Sequence, residues 1–219
     1  YRGERELCFL PLAHAYSCAF NFLVPMAVGA HVYLLGKVPS PKILLKAFEE
    51  VKPNLILTVP SIWEKIYKKM ILPQLSKTTM KVALNIPLLD SRIYAQIRKK
   101  LVDAFGGRFR EVIVGGAAMN EEVTNFLYKI KFPFTIGYGM TECGPLISYD
   151  HNDEYVPGSC GQILKGIMKV RIDSEDPYNK VGEIQVSGEN VMKGYYKNEE
   201  ATSKVFTEDG WLRTGDLGT

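Results

Sequence analysis

The stretch Ile136-Gly-Tyr-Gly-Met-Thr-Glu-Cys-Gly-Pro145 decides how the chain reads. It continues a short apolar run, Phe134 to Ile136, with the composition of a buried strand. Glycines then surround an aromatic ring, a hydroxyl and a carboxylate. Gly137, Gly139 and Gly144 let backbone approach a ligand closely, Tyr138 can lie against a flat base, Thr141 can donate to phosphate, and Glu142 can hold a divalent cation through oxygen. The same residues would also serve as a tight turn with a buried tyrosine and a solvated glutamate, so companion segments have to decide between the two. A dinucleotide fingerprint is excluded because its third glycine would fall at Glu142, and the chain contains no GxxxxGK[ST] phosphate loop.

Upstream of this stretch, short apolar runs alternate with segments of helical period, the rhythm of strands covered by helices. Glu6 to Leu10, His31 to Leu35, Asn54 to Val59, Glu111 to Val114 and Phe134 to Ile136 read as buried strands that can share a sheet. Ser40-Pro41 starts one helix, Ser61-Ile-Trp-Glu64 has capping-box spacing for another, and Asn120 caps a third running to about Lys131. From Ser91 to Phe105, apolar residues recur at Ile93, Ile97, Leu101 and Phe105, with Gly106-Gly107 as the stop. Beyond about Glu154 helical periodicity fades, and Ile167 to Ile172 and Glu183 to Val186 alternate as half-buried strands do. Asp173 to Lys180 and Asp209-Gly210 supply turns. The expected fold class is therefore α/β, with a layered α/β subdomain over residues 1–153 followed by part of a small β-barrel over 154–219.

Composition narrows the partners. The chain has 219 residues, 46% of them hydrophobic, which supports a packed core. A net charge of +3 is too slight to make nucleic acid the expected partner. The oily region Leu7 to Leu35 is interrupted by His14, Ser17, Asn21, Pro25 and His31, so it does not read as a membrane span. Cys8, Cys18, Cys143 and Cys160 form neither a CxxC pair nor a stapled framework, which favours reduced thiols and a cytoplasmic location. The chain opens at Tyr1 with no secretory signal and reads as a piece of something longer.

Two companion segments favour a nucleotide. Gly115-Gly-Ala-Ala-Met119 sits at another strand end, where small side chains open a crevice, and Thr214-Gly-Asp-Leu-Gly218 brings an acid able to accept from ribose hydroxyls. With Tyr138-Gly-Met-Thr-Glu142 and Gly182-Glu-Ile-Gln-Val-Ser-Gly-Glu-Asn-Val-Met-Lys-Gly-Tyr195, they occur in the order found in the adenylate-forming superfamily. The chain resembles, within that superfamily, the acyl-CoA synthetases, over nearly its whole length. The resemblance implies that Gly116, Ala117 and Tyr138 border the adenine, with Gly139 and Met140 also among the nucleotide-binding residues. It further implies that Thr141 touches phosphate, that Glu142 binds magnesium, and that Asp216 holds the ribose. Leu10-Pro-Leu-Ala-His14 resembles the fatty-acyl synthetase segment whose histidine lies beside the acyl carboxylate. His14 therefore joins Thr141 and Glu142 as an expected catalytic residue, against the plainer reading of a core histidine satisfied by backbone. Tyr195-Tyr196 with Lys193 and Lys197 reads as surface of the β unit, and Cys143 as no nucleophile.

The reaction implied is attack of a carboxylate on the α-phosphate of ATP, followed by acyl transfer to coenzyme A, with Mg2+ assisting. Between Glu6 and Glu49 there is no Asp or Glu to anchor a substrate ammonium. A buried ammonium without a carboxylate is costly, so a medium- or long-chain fatty acid is the expected substrate, ahead of an aryl acid, and a non-catalytic acyl or nucleotide binder is the alternative from another class. Peripheral membrane contact of the complete protein is compatible with such a substrate. The Ser/Thr/Gly-rich phosphate loop and the C-terminal lid domain with its lysine are absent from these residues, so the chain alone is expected to form no acyl-CoA.

Overall fold

Strand β1 (Arg5–Cys8) pairs in parallel with β2 (His31–Leu34), and β3 (Ile56–Thr58), β4 (Val112–Val114) and β5 (Phe134–Ile136) form a second parallel ladder in that order. A single parallel bridge between Glu6 and Leu55 joins the two ladders. It is reinforced by Asn54, whose backbone N–H donates to the Arg5 carbonyl and whose Oδ1 accepts from the Arg5 N–H, each at 2.9 Å. The five expected runs all form strands, but in two parallel sheets of two and three strands, linked by that lone bridge rather than in one continuous sheet. This is a computed structural model, and it describes residues 2–87 and 89–219.

The helix Pro41–Val51 shows why the covering layer forms. Ser40 Oγ accepts from the Ile43 N–H, and Pro41, whose fixed φ suits the first turn, follows at once. Leu44, Ala47, Phe48 and Val51 then fall on one buried face. Asn120 likewise caps Glu121–Lys129 by accepting from the Val123 N–H at 3.3 Å. The helix Leu89–Ala104 ends at Gly106, at φ +91°. Of its expected stripe Leu101 is buried and Phe105, just past its end, is 3% exposed, whereas Ile93 and Ile97 are half-buried. Between these layers Trp63 is fully buried, stacked on Phe105 with ring centroids 5.0 Å apart and edge-on to Phe132 at 5.0 Å. Its indole Nε1 has no hydrogen-bond partner.

Ser61 does not cap its helix. The helix Pro60–Ile66 begins one residue earlier, with extended Val59 at the cap position and no side-chain cap, because proline claims the first turn and forces its predecessor out of helical geometry. Several helical segments were not expected, Thr78–Leu84 among them. Ala15–Ser17, Cys18–Leu23 and Val24–Ala27 run together through the oily N-terminal region with a π-helical middle, and Glu199–Val205 lies in the later, strand-rich part. No helix among the described residues is long and apolar enough to cross a membrane.

The π-helical turns bring Asn21 Nδ2 to donate to Glu6 Oε1 at 2.7 Å, and the Ser17 hydroxyl lies 3.2 Å from Asn21 Oδ1. Glu6 is 4% exposed, and burial pushes its carboxyl up to about 8 from the usual 4.5, the Asn21 bond only partly opposing this. The folded chain therefore holds a proton that the unfolded chain releases. The resulting stability is complete below about 4.5 and declines as pH rises toward 8, by up to about 1.4 kcal/mol per pH unit. Glu6→Gln keeps the acceptor and removes the proton exchange. Urea unfolding of the variant is expected to lose part of the fall in stability between pH 5 and pH 8, and an unaltered pH slope would contradict this.

By backbone proximity the chain divides into two compact units, residues 1–136 with 150–159 and residues 137–149 with 160–219. The single boundary expected at 153 is instead two crossings, because the glycine-rich stretch leaves the first unit directly after β5 and the segment 150–159 returns to it. Phe134 packs against Tyr155 at a ring separation of 4.9 Å, and the Thr135 hydroxyl donates to the Asp150 carbonyl at 2.8 Å, which holds the returning segment in place. In the second unit, strands β6 (Tyr138–Gly139) and β7 (Leu146–Ser148) form a two-stranded ribbon. β8 (Met168–Asp173), β9 (Gly182–Gly188) and β10 (Leu212–Gly218) form an antiparallel sheet in the order β10-β9-β8. Where part of a barrel is expected, the described residues give this open three-stranded sheet, packed around Cys143, Ile147, Met168, Val186 and Leu212.

Candidate nucleotide site

Strand β10 is interrupted where its chemistry lies. Arg213 pairs with Gln185 and Leu217 with Glu183, so Thr214, Gly215 and Asp216 stand opposite Ile184 alone. Side chains take over the missing ladder: the Thr214 hydroxyl donates to the Ile184 carbonyl at 2.8 Å, the Gly215 N–H donates to Glu183 Oε1 at 3.1 Å, and the Asp216 N–H donates to Thr214 Oγ1 at 3.1 Å. This bulge turns Asp216 off the strand. Its Oδ2 accepts from the Tyr138 hydroxyl at 2.7 Å, across 78 positions of sequence. Burial of the phenol, with the Asp216 carboxylate beside it, holds the Tyr138 hydroxyl well above its ordinary pKa, so it acts as a neutral donor at every physiological pH.

The loop after Tyr138 is equally constrained. A Cβ on Gly139 would stand 1.9 Å from the Pro145 carbonyl oxygen, where β6 lies against β7. Gly139→Ala is expected to force the ribbon apart and to weaken nucleotide binding by at least about tenfold, the scale set by misplacing a preorganised site. Titration with a fluorescent AMP analogue checks this, and wild-type affinity would refute it. Thr141–Cys143 forms a single 3-10 turn after the ribbon's first strand. The Thr141 side chain is exposed and Glu142 half-buried, while Cys143 is fully buried with its thiol pushed up to about 11 by that burial. A thiol so placed is an inert part of the core.

The residues from Asn190 to Tyr195 lie along this loop. Asn190 Nδ2 donates to the carbonyls of Cys143 and Leu146, at 2.7 and 2.8 Å, and the Met192 N–H donates to the Glu142 carbonyl at 2.7 Å. Tyr195 then donates its hydroxyl to Glu142 Oε1 at 2.9 Å, and the Glu142 carboxylate keeps the Tyr195 phenol above its ordinary pKa. Tyr195, expected as plain surface, is thus joined to the carboxylate expected to bind a cation. Tyr196 remains 88% exposed beside Lys197.

Magnesium would be held here by Glu142. No group of three or more His, Cys, Asp or Glu side chains stands ready for a metal among the described residues. A magnesium ion bound mostly by substrate phosphates needs only one or two protein carboxylates, and with Oε1 accepting from Tyr195, Oε2 is the oxygen left to it. The donor set therefore fits an ion that arrives with its nucleotide.

The other expected site residues belong to the first unit. Gly116 and Ala117 are exposed at the end of β4. Gly115, beside them, does not open a crevice: the Tyr16 ring lies against it, and a Cβ there would come 3.2 Å from Tyr16 Cζ. The Tyr16 hydroxyl donates to the Ile113 carbonyl at 3.2 Å and is raised well above its ordinary pKa by burial. His14 is exposed, not a core histidine, and its Nδ1 accepts from the Tyr16 N–H at 3.3 Å, capping the short helix that follows. That bond engages Nδ1 and not Nε2. Tyr138, Met140, Thr141, Glu142 and Asp216 lie in the second unit.

Comparison with known proteins gives these features a context. The family described as AMP-binding enzyme matches residues 2–196. Long-chain-fatty-acid–CoA ligase 4 of Saccharomyces cerevisiae is 31% identical, over 98% of this chain and 33% of its own length. 4-Coumarate-CoA ligase 1 of Narcissus pseudonarcissus is 30% identical, over 97% of this chain and 35% of its own length. Among solved structures, a malonyl-CoA ligase in a ternary product complex with methylmalonyl-CoA and AMP superimposes with a TM-score of 0.71 at 25% identity, covering 99% of this chain and 42% of that one. The chain spans about a third of the length of the curated relatives it matches.

Proposed function

Because the chain belongs to the AMP-binding enzyme family, we propose that the complete protein joins a medium- or long-chain fatty acid to coenzyme A by way of an acyl-adenylate. A carboxylate oxygen of the acid attacks the α-phosphorus of ATP and pyrophosphate leaves. The thiol sulfur of coenzyme A then attacks the acyl carbon, and AMP leaves. The observation that carries this reading is the 2.7 Å bond between Tyr138 and Asp216, which holds an aromatic face beside a carboxylate able to accept from ribose hydroxyls. In this assignment Tyr138 lies against the adenine with Gly139 and Met140, Asp216 takes the ribose hydroxyls, and Thr141 donates to phosphate. Magnesium bound at Glu142 would supply positive charge beside the phosphates. His14 presents Nε2 to the acyl carboxylate. Such chemistry rests on placement and electrostatics and requires no covalent enzyme intermediate.

The want of any carboxylate between Glu6 and Glu49 supports an uncharged acyl tail. The 30% identity to a 4-coumarate-CoA ligase favours an aryl acid as the second reading. Acyl-CoA formation by the complete protein, measured across saturated acids of increasing length and against 4-coumarate, separates the two: the rate is expected to peak at medium or long chains. Fastest turnover of 4-coumarate would transfer the assignment to aryl acids, and binding of nucleotide without pyrophosphate release would make the protein a non-catalytic binder. Our assignment of the reaction to the cytoplasm is supported by the cysteine spacing, which forms neither a CxxC pair nor a stapled framework. The chain of 219 residues, taken alone, is expected to give no acyl-CoA.

A further inference from the structure

We propose that Tyr195 is a positioning residue for the metal–nucleotide complex, fixing the Glu142 carboxylate so that one oxygen remains aimed at the cation. This rests on the assignment of Glu142 as the magnesium ligand. A lone glutamate on a half-exposed turn can occupy several rotamers, and each ion captured must first select one. Here the choice is already made. The Tyr195 hydroxyl holds Oε1 at 2.9 Å, and the Met192 N–H holds the same residue's backbone carbonyl at 2.7 Å.

The phenol is itself held from behind. The Tyr195 N–H donates to Thr202 Oγ1 at 2.9 Å, and the Thr202 hydroxyl donates to the Asn198 carbonyl at 2.8 Å, tying the tyrosine to the Glu199–Val205 helix. Asn198 caps that helix by accepting from the Ala201 N–H at 3.0 Å. A helix with no buried residue thus has a use: it anchors the ring that orients the carboxylate. Partners of this kind, one step removed from a metal, commonly change its affinity when they are removed.

The test is Tyr195→Phe in the complete protein, read by electron paramagnetic resonance titration of Mn2+ in the presence of a non-hydrolysable ATP analogue. The expected result is affinity for Mn2+ weaker by about tenfold, with Tyr196→Phe at the wild-type value. Steady-state assays are expected to show the same displacement in the Mg2+ requirement, with kcat recovered at saturating Mg2+. Because the effect is routed through Glu142, Tyr195→Phe is expected to add nothing further in a Glu142→Gln background. An additional loss in that background, or wild-type Mn2+ affinity in the single variant, would overturn the role of Tyr195 while leaving the ligase reading standing. Failure of the wild-type protein to bind Mn2+ with the analogue would remove both.

Discussion

Under the proposed assignment, Asp216→Ala in the complete protein is expected to lower kcat/KM for ATP by roughly 10- to 100-fold, the range for losing one charge-assisted hydrogen bond to the ribose, with little change in thermal stability. Asp216 is exposed, and its side chain crosses no core, so the folded state loses only the Tyr138 bond. Asp216→Asn keeps an acceptor for Tyr138 without the charge and should fall between wild type and alanine. Tyr138→Phe keeps the ring and frees the carboxylate, and should cost less than either. Isotope exchange between ATP and pyrophosphate measures all three. Equal exchange in Asp216→Ala and wild type would mean that the ribose is held elsewhere.

Trp63→Ala is expected to destabilise the chain by about 3–5 kcal/mol, the range for removing a fully buried large aromatic side chain. The ring fills the space between Phe105 and Phe132, and neither neighbour can close over the cavity without giving up its own packing. Trp63→Phe should cost markedly less. It leaves a smaller void and removes an indole N–H that is buried without an acceptor. Urea unfolding followed by far-UV circular dichroism distinguishes the two variants. If they prove equally destabilised, the indole makes a bond that this packing does not contain.

Local signals in the sequence were legible because they act over a few residues. Ser40-Pro41, Asn120 and the Gly106 stop each specify their own turn and are found where expected, and β8 and β9 form close to the expected runs, although their burial does not alternate and Val170 is 40% exposed. Ser61 misled because the capping-box spacing coincided with a proline one position earlier, and the rigid ring decides the first turn. The N-terminal helices were hidden by their composition: apolar on several sides, with a π-helical middle that breaks the 3.6 period. Glu199–Val205 buries nothing and so leaves no stripe to read.

For the site, residue types pointed to Tyr138, Glu142 and Asp216, but which of them touch could not be read from spacing. The Tyr138–Asp216 and Tyr195–Glu142 bonds span 78 and 53 positions, and only the fold brings their ends together. Tyr195 left one signal, its place at the end of the Gly182 to Tyr195 motif, although nothing in that motif says which residue its ring would meet.

The bulge in β10 has a consequence for how this surface can evolve. Leu212 and Arg213 on one side, and Leu217 and Gly218 on the other, are locked to β9, so the three residues between them are clamped at both ends like a short bridge. Gly215, at its crown, has open space around it. Amide protons of the flanks should exchange slowly with solvent and those of Gly215 and Asp216 faster, because their acceptors are side chains rather than the β9 backbone, so the crown can shift its side chains without renegotiating the register of the sheet beneath it.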